Sequence, residues 1–266
     1  MWTNLATLVR YRGLIRSLVA RELKARYRGS ILGFFWSFIN PILLLSIYTF
    51  VFTEILENRD PDLQPYSLFM FCGLLPWTWF SSSLNEAAGS LISGSNLIRK
   101  VLFPAEVLPI VSVLANMVHF FFGLLILAAF FVGLQYRPDW HDLVWFPLVV
   151  LVQLVFTTGL ALALAALTVH FRDIRDLLSN LLTFWFFATP IIYAYYMPSV
   201  QGYRWLFNVN PFFHLSVSYQ EILFFRGSFV HGHLKLLLEF GLVSIGVFIA
   251  GYWLFDRLRD SFAEAV

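Results

Sequence analysis

Six apolar runs follow one another along the chain, and most are separated by short polar connections. An α-helix needs about 20 apolar residues to cross about 30 Å of hydrocarbon, and these runs reach that length. The pattern predicts an all-α integral membrane protein, with one six-span transmembrane domain at 31–258. The predicted spans lie at about 31–55, 66–90, 108–134, 143–170, 177–197 and 236–255.

A basic segment precedes the first apolar run. Its apolar positions fall on one helical stripe, and basic residues occupy the other faces. Gly29 supplies a stop after the last turn. Residues 1–30 are therefore predicted to form a cytoplasmic amphipathic interface helix, which contacts either anionic lipid alone or a cytoplasmic partner as well. The stripe is Leu8, Tyr11, Ile15, Leu18 and Val19, and the basic interface residues are Arg21, Lys24 and Arg28.

The connection between the fifth and sixth runs is long, and its apolar part at 205–220 is too short to cross a membrane. We expect re-entrant or gating helices there. Basic residues concentrate on the side that carries both termini, so the positive-inside rule places both termini in the cytoplasm. Residues 259–266 then form a short cytoplasmic tail.

Composition and motifs exclude several classes of protein. Hydrophobic residues make up 59% and charged residues 13% of the chain, which is far from a soluble domain. The sequence has no phosphate-binding loop and no hydrolase or metalloprotease motif, so an enzyme is not expected. His231 and His233 have no further ligand nearby, and no metal or other cofactor is predicted on this chain. Nucleic acid is not an expected partner.

Few ionisable residues lie inside the apolar runs. A gradient-driven transporter needs such groups near the middle of the membrane. Glu239 is four residues from Lys235 and is expected to pair with it, and His119 is expected to be a packing histidine. Glu86 has no such explanation in the sequence, and it keeps a gradient-driven mechanism open.

Prolines and aromatic residues mark where a transport pathway would lie. Pro41, Pro76 and Pro190 stand within predicted spans and are expected to kink or break them. Aromatic runs adjoin Pro76 and Pro190, and their flat faces suit the apolar faces of sugar rings. Ordinary packing kinks and interfacial aromatic belts are the alternative interpretation.

Five motifs in order resemble the membrane subunit of polysaccharide-exporting ABC transporters, which move O-antigen, capsule and teichoic-acid chains with a type-2 exporter fold. The resemblance covers essentially the whole chain. The motifs are RYRGSILGFFWSFINPILLLSIYTFVF (26–52), CGLLPWTWFSSSLNEAAGSLISGSNLIRKVLFPAEVLPI (72–110), LTVHFRDIRDL (167–177), ATPIIY (188–193) and NPFF (210–213).

The resemblance implies a homodimer in the bacterial inner membrane, paired with two copies of a separate ATPase that binds Mg-ATP. The substrate would be a lipid-linked polysaccharide. O-antigen is the first candidate, and capsule or teichoic acid are the alternatives. Two short cytoplasmic segments would couple to the ATPase, through Asn96, Arg99, Lys100, Phe103, Pro104, Glu106, Phe171, Arg172, Asp173 and Arg175. The expected substrate path is Trp77, Trp79, Phe80, Trp185, Tyr193 and Tyr196.

Three rivals stay open at this point. A drug or lipid ABC permease would share the architecture. A gradient-driven transporter would use Glu86. A membrane-embedded transferase would need a catalytic dyad that the sequence does not contain.

Overall fold

The computed structural model describes residues 11–55, 60–100, 103–197, 202–225, 229 and 232–262. The described part of the chain is largely helical and contains no β-strand. We number its α-helices in chain order. They are α1 (Arg12–Arg26), α2 (Trp36–Thr49), α3 (Tyr66–Ser93), α4 (Ser95–Lys100), α5 (Val107–Gly133), α6 (Trp140–Leu143), α7 (Phe146–His170), α8 (Ile174–Phe187), α9 (Arg204–Val209), α10 (Pro211–Leu223) and α11 (Leu234–Leu258).

Four helical stretches among the described residues are long and apolar enough to cross a membrane. They correspond to the predicted first, third, fourth and sixth spans. The first includes α2 and the π-helical turn Phe50–Ile55 that continues it. The four are Trp36–Ile55, Val107–Gly133, Trp140–His170 and Leu234–Ser261.

The second predicted span coincides with α3, a helix of 28 residues that continues through Pro76. Its length is about 42 Å, enough for a bilayer. Its second half carries Ser81, Ser82, Asn85 and Glu86, so it is less apolar than the four spans above.

The fifth predicted span, 177–197, is wrong at its end, because α8 stops at Phe187. The chain turns through Thr189 and Pro190. The backbone carbonyls that the end of the helix leaves without helical partners accept hydrogen bonds from side chains of the following segment. The Asn210 amide donates to the Ala188 carbonyl at 3.0 Å, and the Gln220 amide donates to the Pro190 carbonyl at 2.9 Å. These side-chain partners let a helix break be buried within the protein.

The short helices predicted within 205–220 are present as α9 and α10. Asn210, which belongs to the NPFF motif, caps α10 by accepting from the Phe212 backbone N–H at 3.0 Å. Its amide also bonds the Thr189 hydroxyl at 2.9 Å. One asparagine therefore starts α10 and fastens it to the broken end of α8.

The core is built around α3, which packs against both α5 and α7. The amide of Gln153 on α7 donates to the Pro76 carbonyl at 2.8 Å and ties α7 to the middle of α3. On its other side α7 packs along α11, where Gly159 meets Gly251. Small residues let two membrane helices approach this closely.

Both described ends of the chain lie at one end of the bundle, which we call the terminal end. Leu18 of α1 is buried against Val107 and Val111 at the start of α5. A short 3-10 helix, Arg259–Ser261, follows α11, and Arg259 pairs with Glu106 there at 3.4 Å. Leu8 of the predicted stripe and the tail after residue 262 lie outside the described residues.

Candidate functional site

A polar groove runs between α2, α3 and α8. Thr78, Ser81 and Asn85 follow one another at spacings of three and four, so they share one face of α3. Ser179 and Thr183 face them from α8, and the groove has a volume of about 300 Å³. In an otherwise apolar bundle, these side chains form a wall of hydroxyl and amide groups.

Aromatic rings border the same groove. Tyr48 of α2, Trp77 of α3 and Phe186 of α8 all line it. The Phe186 ring lies 5.9 Å from the Tyr48 ring and 5.8 Å from the Trp77 ring, measured between centroids. Hydrogen-bonding groups and flat apolar surfaces therefore alternate along one path.

The groove continues into a larger polar cavity of about 820 Å³ at the terminal end, which we call the terminal cavity. Asn85 and Ser179 line both spaces. The walls of the cavity come from α1, α3, α4, α5 and α8, and Arg21 and Arg175 both border it. The cavity therefore brings together polar side chains from five helices at this end of the bundle.

The structure buries three of the predicted path residues. Trp77 is 5% exposed, Trp79 is 2% exposed and Phe80 is fully enclosed. The Trp79 indole N–H donates to the Val113 carbonyl at 3.2 Å, and Phe80 stacks on Phe156. In this arrangement Trp77 borders the groove, whereas Trp79 and Phe80 serve as packing behind it.

The other three predicted path residues lie near the broken end of α8 and are half-buried. The Trp185 indole N–H donates to the side-chain oxygen of Asn210 at 2.5 Å. The Tyr193 hydroxyl donates to the Phe187 carbonyl at 3.0 Å, and the Tyr196 ring contacts Phe225 edge-on. The six predicted residues therefore do not line one continuous surface.

The predicted coupling residues divide into exposed and buried groups. Asn96, Phe171, Arg172 and Asp173 are exposed at the terminal end, as a docking surface requires. The same holds for Arg175, which in addition borders the terminal cavity.

The remaining coupling residues face inward or lie beyond what is described. Pro104 is buried, and Phe103 packs partly against the apolar face of α1. Glu106 is 2% exposed, so it holds the 3-10 turn after α11 through Arg259 and does not face solvent. The side chains of Arg99 and Lys100 lie outside the described residues.

Sequence reasoning missed the partners of Glu86. Its two carboxylate oxygens both lie 2.7 Å from Nη2 of Arg26, at the end of α1. The Asn116 amide donates to Glu86 at 2.7 Å, and the Asn116 oxygen accepts from Arg26 at 3.2 Å. A rare polar residue inside an apolar run, Asn116, was the available signal.

The predicted interface residues Arg21 and Lys24 are exposed on α1, and Arg28 is exposed in the turn that follows it. Gly29 has a φ of +79°, the left-handed conformation that ends a helix, as predicted. The apolar stripe of α1 packs on α5 and thus contacts protein. Lipid contact along that stripe is therefore limited to what α5 leaves uncovered.

The predictions for Glu239 and His119 agree with the contacts that these two residues make. Lys235 pairs with Glu239 at 3.8 Å. His119 packs edge-on against Tyr27 and bonds its hydroxyl at 3.2 Å. The described residues contain no group of three or more histidine, cysteine or acidic side chains that could hold a metal, and His231 lies outside them.

Comparison with known proteins agrees with this architecture. Residues 13–224 match the family model described as ABC-2 type transporter. The chain is 42% identical over 260 residues to the O-antigen export system permease protein RfbA of Myxococcus xanthus, covering 97% of each chain. It is 31% identical over 251 residues to the protein of that name from Klebsiella pneumoniae, covering 94% of each.

A more distant relative has a different cargo in its name. The chain is 22% identical over 245 residues to the polysialic acid transport protein KpsM of Escherichia coli, covering 90% of this chain and 92% of that protein. With the family model matching most of the chain, its apolar helices are those of a multi-pass permease. The protein belongs to the ABC-2 type transporter family.

Proposed function

We propose that this chain is the permease subunit of an ATP-driven exporter that moves lipid-linked polysaccharide across the bacterial inner membrane. O-antigen is the first candidate substrate, because the full-length relatives at 42% and 31% identity are named O-antigen export permeases. The polysialic acid relative supports a glycan more broadly. A drug or lipid permease of the same family is the rival that substrate assays must exclude.

Two copies of this chain and two copies of a separate ATPase would form the working exporter. Two observations support a dimer. The polar groove is open on one side, and only 6% of the apolar stretch of the first span is buried within the chain. A second copy facing this side would close a path between the two grooves. Mg-ATP would bind to the ATPase. The ATPase would contact this chain at Phe171, Arg172 and Asp173.

The membrane arrangement we propose has six crossings and both termini in the cytoplasm. In this arrangement the four long apolar stretches are four of the crossings, and α3 and the α8 segment are the other two. The terminal end would face the cytoplasm, so the terminal cavity would be the entrance. The helices α9 and α10, at the broken end of α8, would border the exit.

The polar groove is the observation that carries the proposed path. Sugar hydroxyls can exchange hydrogen bonds with Thr78, Ser81 and Asn85, while sugar rings slide over the Tyr48 ring. Each hydrogen bond contributes little net free energy, which suits a polymer that must move. A wholly apolar path would strip the hydroxyls of partners at high cost.

The test is export of lipid-linked O-antigen by cells that carry Ser81→Leu or Asn85→Leu. We expect about tenfold slower export from each, the equivalent of one hydrogen bond of about 1.4 kcal/mol. Gly246→Leu on the exposed face of α11, away from the groove, is the control and should export normally. Normal export by both groove variants, with normal protein levels, would place the path elsewhere.

The gradient-driven rival loses its main support from the surroundings of Glu86. This carboxylate is engaged by Arg26 and Asn116, so a positional role accounts for it without proton or ion transfer. Export that continues in ATP-loaded vesicles treated with an ionophore would remove this rival.

A further inference from the structure

A closed polar network joins four helices near the terminal end. Arg26, Glu86 and Asn116 form a triangle of hydrogen bonds with donor–acceptor distances of 2.7 to 3.2 Å. Asn116 is itself oriented by a bond from its amide to the Ser112 carbonyl at 2.9 Å. The triangle thus connects the last residue of α1 to both α3 and α5.

The next residue extends the network to the first span. The Tyr27 hydroxyl bonds the Ser37 hydroxyl at the start of α2, and it also bonds His119 on α5. His119 lies one turn beyond Asn116 on the same helix. Two consecutive residues of the chain, Arg26 and Tyr27, therefore fasten the end of α1 to α2, α3 and α5.

The position of Glu86 relative to the cytoplasmic segment matters. Glu86 lies about two and a half turns before Ser95, where α4 begins. Only Gly94 separates α3 from α4, and the Gly94 backbone N–H still bonds the Ser90 carbonyl at 2.9 Å. A push on α4 would therefore reach Glu86 through the last turns of α3.

The chemistry of the pair favours a rigid joint. One guanidinium nitrogen contacts both carboxylate oxygens, and such charge-assisted bonds are short and directional. The two side chains are only about a third exposed, at 28% for Arg26 and 34% for Glu86. Water therefore screens the pair less than it would on an open surface.

We propose that the Arg26–Glu86–Asn116 network is the joint that makes the interface helix and the second and third spans move together during the ATP-driven step. Arg26 and Glu86 are positioning residues in this scheme and touch neither ATP nor glycan. The inference rests on the proposed function, because it needs an ATPase that pushes on the cytoplasmic segments. It assigns Glu86 a mechanical role.

The experiment measures polymer exported per ATP hydrolysed, using this chain and its ATPase in inverted vesicles loaded with the host's lipid-linked O-antigen. We expect E86Q to lower this ratio about tenfold, within the usual range of coupling between sites, while ATPase binding and basal hydrolysis stay near normal. E239Q is the matched control, since it removes a carboxylate from an exposed pair. The charge swap R26E/E86R should recover most of the ratio.

A second variant covers the case in which E86Q does not fold. R26K keeps the charge and loses the second guanidinium nitrogen, which donates to Asn116, so it should lower the ratio less than E86Q while preserving assembly. An unchanged ratio in E86Q, or in R26K where E86Q does not fold, overturns the inference. Failure of the unaltered chain to bind the ATPase or to export would overturn the proposed function itself.

Discussion

The two sides of α3 are built differently. On one side, α7 and α11 pack so closely that a Cβ at Gly251 would lie 2.0 Å from the Gly159 carbonyl oxygen. On the other side, α2 and α8 leave large apolar side chains uncovered, such as Ile47 at 60% and Phe184 at 73% exposed. The polar groove lies on this second side.

This difference indicates which part of the permease acts as a frame. Backbones in direct contact cannot slide without losing their packing, so we expect α7 and α11 to stay fixed during transport. The groove wall has room to shift, because α2 and α8 pack against α3 less extensively than α7 does. The substrate path that we propose therefore lies where the protein has room to change shape.

The largest effect should come from breaking the frame. In Gly251→Leu the new side chain would occupy the space of the Gly159 backbone, and neither helix can yield without separating. We expect a loss of about 3 kcal/mol or more in the free energy of unfolding, or no folded protein at all. The measurement is the yield and thermal stability of the purified protein in detergent.

Gly246→Leu is the control on the same helix. A Cβ at Gly246 meets nothing within 4 Å, so this variant should fold normally. Equal losses of yield and thermal stability in the two variants would mean that α11 tolerates a large residue at neither position. The close contact with Gly159 would then not explain the effect of Gly251→Leu.

An intermediate effect should follow from charge reversal at the start of α8. Arg172 is exposed at the terminal end, so Arg172→Glu should leave the thermal stability of the permease unchanged. If this surface docks the ATPase, the reversed charge should lower the amount of co-purified ATPase about tenfold. Arg257→Glu, an exposed arginine near the same end, is the control.

A normal yield of ATPase with Arg172→Glu would contradict the docking surface. Equal loss with Arg257→Glu would point to a general effect of charge at this end. Neither result would alter the frame, which the glycine variants test separately.

The sequence predicted the long apolar helices well, because length and hydropathy alone decide them. The described α5, α7 and α11 fall within a few residues of the predicted spans. The predicted end of the fifth span at 197 was wrong, whereas a break at Pro190 was expected and only its partners were not. Asn210 and Gln220 satisfy the carbonyls after Phe187, and these partners come from later in the chain.

The candidate site was harder to predict, since periodicity does not tell which face of α3 points inward. Trp79 and Phe80 looked like path residues, yet they are packed behind the groove. The partners of Glu86 stand 60 and 30 residues away along the chain, so no local pattern links them. The polar spacing of Thr78, Ser81 and Asn85 was visible in the sequence, and it indicates the groove better than the aromatic runs do.

The smallest effect should come from the other end of the frame, where Asp139 caps α6 just before α7. Its carboxylate accepts from the His141 backbone N–H at 3.0 Å and lies 3.1 Å from the His141 ring, and these bonds lower the pKa of Asp139 below its usual 3.8. The folded protein therefore keeps the charge at a pH where the unfolded chain takes up a proton. This stabilisation is present above pH 3.8 and is lost as the pH falls through the lowered pKa.

Asp139→Ala should accordingly lower the melting temperature by about 1–3 °C at pH 7, and the difference from the unaltered protein should shrink as the pH approaches 3. Melting curves in detergent at several pH values measure this, with Asp256→Ala as a control on an exposed carboxylate in α11. A difference that stays constant with pH would mean that the cap acts through its shape and owes nothing to its charge. In either case the change should leave the groove untouched, because α6 contacts α10 and the start of α7, on the side of the molecule that we expect to stay fixed.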